Sequence, residues 1–237
     1  MRARGETPEP ADGGEPPLTH RTWVYRAIMW FLVTPIYRIV FRARVRGLEH
    51  LPRGGALVAA NHQSFLDIPL VALALAPRHV SFLARESLAR AAWLAWVIRR
   101  TGSQLVRPGT ADRVALRRAA RHLELGDLVC IFPEGSRTYD GALQAFKKGA
   151  LLAARMGEAD LVPCGIRGSF EAWPRDRRWP RPRRLEIAFG APIDPSRPDA
   201  ALRLEREVAR LAGLTTPPEQ ERDAARRPRS LTRPDKP

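Results

Sequence analysis

Ala56-Leu57-Val58-Ala59-Ala60-Asn61-His62-Gln63-Ser64-Phe65-Leu66-Asp67 is the stretch whose reading decides the fold. Five apolar residues without polar alternation make a strand buried on both faces, the kind found inside a largely parallel sheet. Polar residues end it, and a helical pattern follows from Phe65 to Leu75. In open α/β sheets, ligands bind beyond the carboxyl ends of the strands, where Asn61 and His62 stand.

The pattern recurs along the chain. Further strands are expected at Ala43–Arg46, Val80–Ala84, Gln104–Val106, Leu128–Phe132, Leu161–Ile166 and Leu185–Phe189. Helical patterns cover Leu88–Arg99, Ala111–Glu124, Lys148–Met156 and Asp199–Leu211. Strands alternating with helices predict an α/β domain with a mostly parallel central sheet flanked by helices. Pro163 favours an edge or bulge position in its strand.

Outside this body the composition changes. Residues 1–17 are polar and rich in Pro, Gly and Glu, and read as a disordered leader. Residues 214–237 read as a disordered tail, with Pro among alternating charges. Residues 18–42 carry Trp23, Tyr25, Trp30, Phe31, Tyr37 and Phe41 among aliphatic residues, broken by Arg26, Pro35 and Arg38. Charges and a Pro make a conventional span costly, whereas Trp and Tyr with flanking Arg suit a bilayer interface. A core helix kinked at Pro35 is the alternative.

The chain has 237 residues, 44% of them hydrophobic, enough for one packed domain. Its 40 Lys and Arg outnumber 25 Asp and Glu, a net charge of +15, so an anionic partner is expected. Between Arg167 and Arg184, seven Arg face two acids, with Trp173 and Trp179 among them; such a mixture suits anionic headgroups or stacked bases, or is a solvated loop. The two cysteines, Cys130 and Cys164, sit in apolar runs and read as core thiols. Neither they nor the histidines have metal-ligand spacing, and no phosphate-binding Gly loop or nucleophile elbow is present.

Two constellations carry chemistry. His62 and Asp67 are five positions apart, which on a regular helix is about 500° and places them on different faces. If the chain turns between them, Asp67 orients one ring nitrogen and leaves the other free as a base. Asn61 and Ser64 read as turn or cap residues. After the strand ending at Phe132 come Pro133-Glu134-Gly135-Ser136-Arg137. Gly permits close backbone approach, and Arg137 offers a planar fork suited to phosphate. Glu134 either holds that Arg or meets a substrate hydroxyl. Lys147 and Arg107 are further candidates for the same anion.

Asn61-His62-Gln-Ser-Phe-Leu-Asp67, Phe132 to Arg137 and Leu161-Val162-Pro163, in this order, resemble the glycerophospholipid acyltransferase family, typified by 1-acylglycerol-3-phosphate acyltransferase. Gly102-Ser-Gln-Leu-Val-Arg107 departs from the family's second motif: it is one residue short and lacks the acid. The resemblance implies an acyltransferase domain over residues 43–213. It implies that His62, oriented by Asp67, deprotonates the acceptor hydroxyl, which attacks the thioester of acyl-CoA or acyl carrier protein. It implies that Arg107, Glu134, Gly135, Ser136, Arg137 and Lys147 bind the acceptor's glycerol phosphate, with Pro163 on the acyl side. No metal or redox cofactor is expected. The expected partners are a lysophospholipid and an anionic membrane surface at the cytoplasmic face, and no nucleic acid. The same chemistry on a lyso-ornithine lipid or glycolipid is the alternative acceptor. A non-catalytic basic binding module leaves both complete motifs unexplained.

Overall fold

The computed structural model describes residues 31, 33–78, 80–85, 104–106 and 112–226. Seven strands form one sheet: β1 Arg44–Arg46, β2 Ala56–Ala60, β3 Val80–Arg85, β4 Gln104–Val106, β5 Leu128–Ile131, β6 Asp160–Arg167 and β7 Glu186–Phe189. Their order is β1-β7-β6-β2-β5-β3-β4. Every pairing is parallel except β6 with β7, so β7 and β1 run against the other five. The helices are α1 Asp67–Leu75, α2 Asp112–Glu124, α3 Gly149–Met156, the single turn α4 Ser169–Ala172, α5 Ala200–Ala212 and α6 Glu219–Arg226.

Side-chain alternation on the central strands splits the core in two. Ala56, Val58, Ala60, Leu128, Cys130, Val162, Cys164 and Ile166 face one side and pack with Leu70 and Val71 of α1 and with Tyr37 and Phe41. Leu57, Ala59, Val129, Ile131 and Leu161 face the other, against Ala119, Ala150, Ala153 and Val208 of α2, α3 and α5. β2 and β5 are fully buried, as apolar runs of that length predict. Both cysteines are free and buried.

Pro163 lies in an internal strand, at a bulge. Cys164 pairs with Phe189 and Leu161 bridges Ile193, so Val162 and Pro163 face the three residues Gly190–Pro192. The missing donor of Pro163 therefore meets the irregular partner, while its carbonyl accepts from Gly190 N at 2.8 Å.

One expectation needs adjustment. The segment expected as a disordered tail carries α6 within residues 214–226. Leu214 packs on the core, Pro217 is buried, and Arg222 lies 3.7 Å from Glu205. Most of the expected N-terminal helix, the leader 1–17, the helix Leu88–Arg99 and residues 227–237 lie outside the described residues. Around Pro35 the chain stays helical, continuing as a π-helical segment Ile36–Val40. Among the described residues no helix is long and apolar enough to cross a membrane.

Candidate active site

The site forms where β2 and β5 end. Asn61 neither turns nor caps the chain. It is buried, and its amide donates to Ile166 O at 2.9 Å and accepts from Ile166 N at 2.7 Å, extending the β2–β6 ladder with a side chain. The chain then turns. Asp67 opens α1, fully buried, and its Oδ2 accepts from Gln63 N and Ser64 N, both at 2.7 Å. This turn brings His62 Nδ1 to 3.0 Å from the same oxygen, although a regular helix would have separated the two side chains. Ser64 does not cap the helix: its hydroxyl donates to Trp173 O at 2.8 Å and accepts from Leu66 N at 3.2 Å.

An ionised carboxylate only accepts, so Nδ1 carries the proton and Nε2 holds the lone pair. The His62 ring stacks on Phe132, with centroids 4.1 Å apart and planes inclined by 23°. Its side chain is 15% exposed. The imidazole is thus oriented by a carboxylate, clamped by an aromatic ring and open at the other nitrogen.

The second motif is laced to the first through backbone. Glu134 is buried, its Oε1 accepting from His62 N at 2.6 Å and its Oε2 from Gln144 N at 2.9 Å. The expected contact of Glu134 with Arg137 is replaced by these amides, one on each oxygen. Burial pushes its carboxyl up to about 8, against the lowering effect of the Gln144 and His62 amides; the Asp67 charge adds a smaller rise. Thr138 N donates to His62 O at 3.1 Å. Gly135 has φ +76°, a left-handed conformation that suits glycine, and a Cβ there would collide with Lys147 Nζ. Ser136 Oγ donates to Gln144 Oε1 at 3.4 Å.

Arg137 lies over the Phe65 ring, 3.4 Å from its centroid. Phe65 in turn packs on Trp173, and Arg175 lies over Tyr139. Nη1 of Arg137 is buried without a hydrogen-bond partner, and among the described residues no carboxylate pairs with this guanidinium. Burial, followed by the repulsion of Arg175, lowers its pKa. A half-buried planar cation that no carboxylate pairs among the described residues is suited to receive an anion.

His62, Asp67, Glu134, Gly135, Ser136, Arg137 and Lys147 are therefore brought together. Pro163 is not: it is buried at the bulge, against Gly190. Arg107 lies outside the described residues; β4, which precedes it, is the edge strand beside β3. Sequence reasoning assigned no site role to Phe132, Phe65, Gln144 or Glu205. Only Phe132 and Phe65 had a signal, as aromatics inside the two motifs.

A family model described as Acyltransferase matches residues 42–167, more than half of the chain. The chain belongs to the acyltransferase family. The crystal structure of the 1-acyl-sn-glycerophosphate (LPA) acyltransferase PlsC from Thermotoga maritima is similar to this acyltransferase family member, with a TM-score of 0.64 and 28% identity over 80% of this chain and 81% of that one. A chloroplast 1-acyl-sn-glycerol-3-phosphate acyltransferase of Arabidopsis thaliana is 32% identical over 155 residues, 62% of this chain and 42% of that protein. A lyso-ornithine lipid O-acyltransferase of Pseudomonas aeruginosa is 34% identical over 132 residues, 55% of this chain and 49% of that protein. The chain spans about half the length of these curated relatives.

Proposed function

We propose that the protein transfers a fatty acyl group from acyl-CoA or acyl carrier protein to the free hydroxyl of 1-acylglycerol-3-phosphate, giving phosphatidate, at the cytoplasmic face of an anionic membrane. The reading is carried by one juxtaposition. The Asp67-oriented imidazole and Arg137, which no carboxylate pairs among the described residues, flank one loop cluster, joined by the bond from His62 N to Glu134 Oε1 and the bond from Thr138 N to His62 O. A base beside a cation is what a phosphate-bearing alcohol requires.

In the reaction, Nε2 of His62 takes the proton of the acceptor hydroxyl as its oxygen attacks the thioester carbonyl carbon. Asp67 stabilises the imidazolium that forms. The tetrahedral intermediate collapses with cleavage of the C–S bond, and the departing thiolate receives the proton from Nε2. Atoms and charge balance without a metal or redox cofactor. Arg137, with Lys147 and Arg107, binds the acceptor phosphate. Glu134 acts through His62, whose backbone it holds. General-base action contributes about 10²–10⁴-fold, positioning much of the remainder.

The purified protein, a labelled acyl donor and a panel of lysolipids test this. His62→Ala is expected to lower kcat on lysophosphatidate by about 10²–10⁴-fold with vesicle binding intact. Arg137→Ala is expected to raise KM for lysophosphatidate by roughly 10- to 100-fold and to spare acceptors without phosphate. Turnover retained in the His62 variant rejects the mechanism. Acylation of lyso-ornithine lipid in preference to lysophosphatidate reassigns the acceptor.

A further inference from the structure

Glu205 has no exposed surface, yet it stands in the buried stripe of α5 with Leu204, Val208, Ala209 and Ala212. An ionised carboxylate in such a place is costly unless both oxygens are used. Oε2 accepts from Phe146 N at 3.1 Å. Oε1 has no hydrogen bond, and the nearby cation is Arg222 Nη1 of α6 at 3.7 Å, the Arg222 side chain being 16% exposed. The carboxylate thus joins three pieces of chain: α5, the loop entering α3, and the C-terminal helix.

The residue after Phe146 is Lys147. Its amide donates to Pro133 O at 3.0 Å, and its Nζ sits over Gly135, two residues from Arg137. The same loop supplies the Gln144 amide that holds Glu134. A cleft of about 350 Å³ separates Tyr139–Gln144 from the segment Thr215–Glu221, so the C-terminal segment borders this loop directly. Glu205 and Arg222 both lie beyond the residues matched by the family model.

We infer that Glu205, charge-balanced by Arg222, positions the Phe146–Lys147 loop, so that the C-terminal helix tunes how the acceptor's phosphate is held. Removal of the Arg222 charge leaves a buried carboxylate uncompensated. The carboxylate then draws in water or turns away, and the Phe146 amide loses its partner. Lys147 is displaced in consequence, while His62 and Asp67, tied to β2 and α1, stay in place. Glu205 and Arg222 are positioning residues and touch no reacting atom. The inference rests on the proposed acceptor site.

The test is Arg222→Met, which keeps most of the apolar stem, with Glu205→Gln as the companion that keeps the shape of the buried group. In the Arg222 variant, amide exchange at Phe146 and Lys147 is expected to accelerate. KM for lysophosphatidate should rise roughly ten-fold, with kcat and the donor KM changed by less than about two-fold. Lys147→Ala should raise the same KM, and the double variant should be no worse than the stronger single one, because both act through one ammonium. Unaltered exchange at Phe146, or additive effects of the two substitutions, overturns the inference. So does parallel loss of kcat and both KM values together with thermal stability, which marks a merely structural role. If the unsubstituted protein acylates no phosphate-bearing acceptor, it is the proposed function that fails, and the exchange measurement still decides the link.

Discussion

At the scale of single residues, the site depends on two buried carboxylates and on the amides they hold. Asp67 collects three hydrogen bonds on one oxygen, two of them from the turn that delivers His62. Glu134 collects two backbone amides from opposite sides of the site. Its carboxyl is nonetheless pushed up to about 8, so burial outweighs those bonds. The consequence for stability has a definite sign. Between the ordinary value of 4.5 and about 8, the folded protein binds a proton at Glu134 that the unfolded chain has released. Stability from this group is therefore complete below about pH 4.5 and is lost as pH rises toward 8, at up to about 1.4 kcal/mol per pH unit. Glu134→Gln is expected to remove that slope. It should also cost about 1–3 kcal/mol, because its NH₂ faces one of the two amides as a second donor. Urea unfolding of both proteins from pH 5 to 9 measures this, and parallel profiles would refute it. At this scale the motifs were legible and their wiring was not. Five residues of spacing disclosed the His62–Asp67 pair only on the condition of a turn. Nothing in the pattern marked Asn61 as a backbone mimic, or Glu134 as a holder of amides rather than of Arg137. Those roles depend on Ile166 and His62, more than seventy residues away in the chain, and on the loop that carries Gln144.

Among the elements, strands with two buried faces were the easiest to read. Ala56–Ala60 ends where expected, and Leu128–Ile131 differs by one residue. α5, an amphipathic helix with polar and apolar sides, matches Asp199–Leu211 to within one residue. The C-terminal helix was missed because its eight residues, Glu-Gln-Glu-Arg-Asp-Ala-Ala-Arg, carry no apolar stripe. What anchors the segment is Leu214, Pro217 and the Glu205–Arg222 pair, and no local periodicity records these. The close fit of α5 on β6 makes the prediction proper to this scale. A Cβ at Gly165 would collide with the backbone of Leu211 and Ala212 and with the Leu211 side chain. Backbone on both sides leaves no rotamer to yield. Gly165→Ala should therefore push α5 outward and cost about 1–3 kcal/mol of stability. Its midpoint in urea should fall with little change in slope, while β2 and the His62 turn, on the other side of β6, keep their geometry. An unchanged midpoint would mean that α5 is not seated on that glycine.

For the molecule as a whole, the question is how a strongly basic protein would meet the lysolipid proposed as its acceptor. Two surfaces next to the site suit a bilayer. Phe31, Ile36, Ile39 and Val40 are exposed on the N-terminal segment, while Tyr37 and Phe41 of that segment are buried. Tyr37 donates its hydroxyl to Leu66 O at 2.9 Å, which ties this segment to the loop between His62 and Asp67. On the other flank, the loop after Trp173 exposes Arg175, Arg178, Arg181, Arg183 and Arg184 around Trp179, itself 69% exposed. Leu185 N bonds to Phe41 O at 3.0 Å, so the apolar segment and the basic loop adjoin. On the proposed function, this arrangement would serve as one docking face, with aliphatic and aromatic side chains at acyl depth and arginines at the headgroups. Each arginine near an anionic surface is worth about 1 kcal/mol, a term that salt screens, whereas burial of Ile39 is indifferent to headgroup charge. The two contributions can thus be separated by vesicle sedimentation. Arg178→Ser with Arg181→Ser is expected to weaken binding to phosphatidylglycerol-containing vesicles by roughly 10- to 30-fold at low salt and to leave binding to neutral phosphatidylcholine vesicles almost unchanged. Ile39→Ser is expected to weaken both kinds of binding by a similar factor. If the arginine variant loses affinity for neutral vesicles as well, or if binding is the same with and without anionic lipid, the basic loop does not face the membrane and the lysolipid must reach His62 by another side.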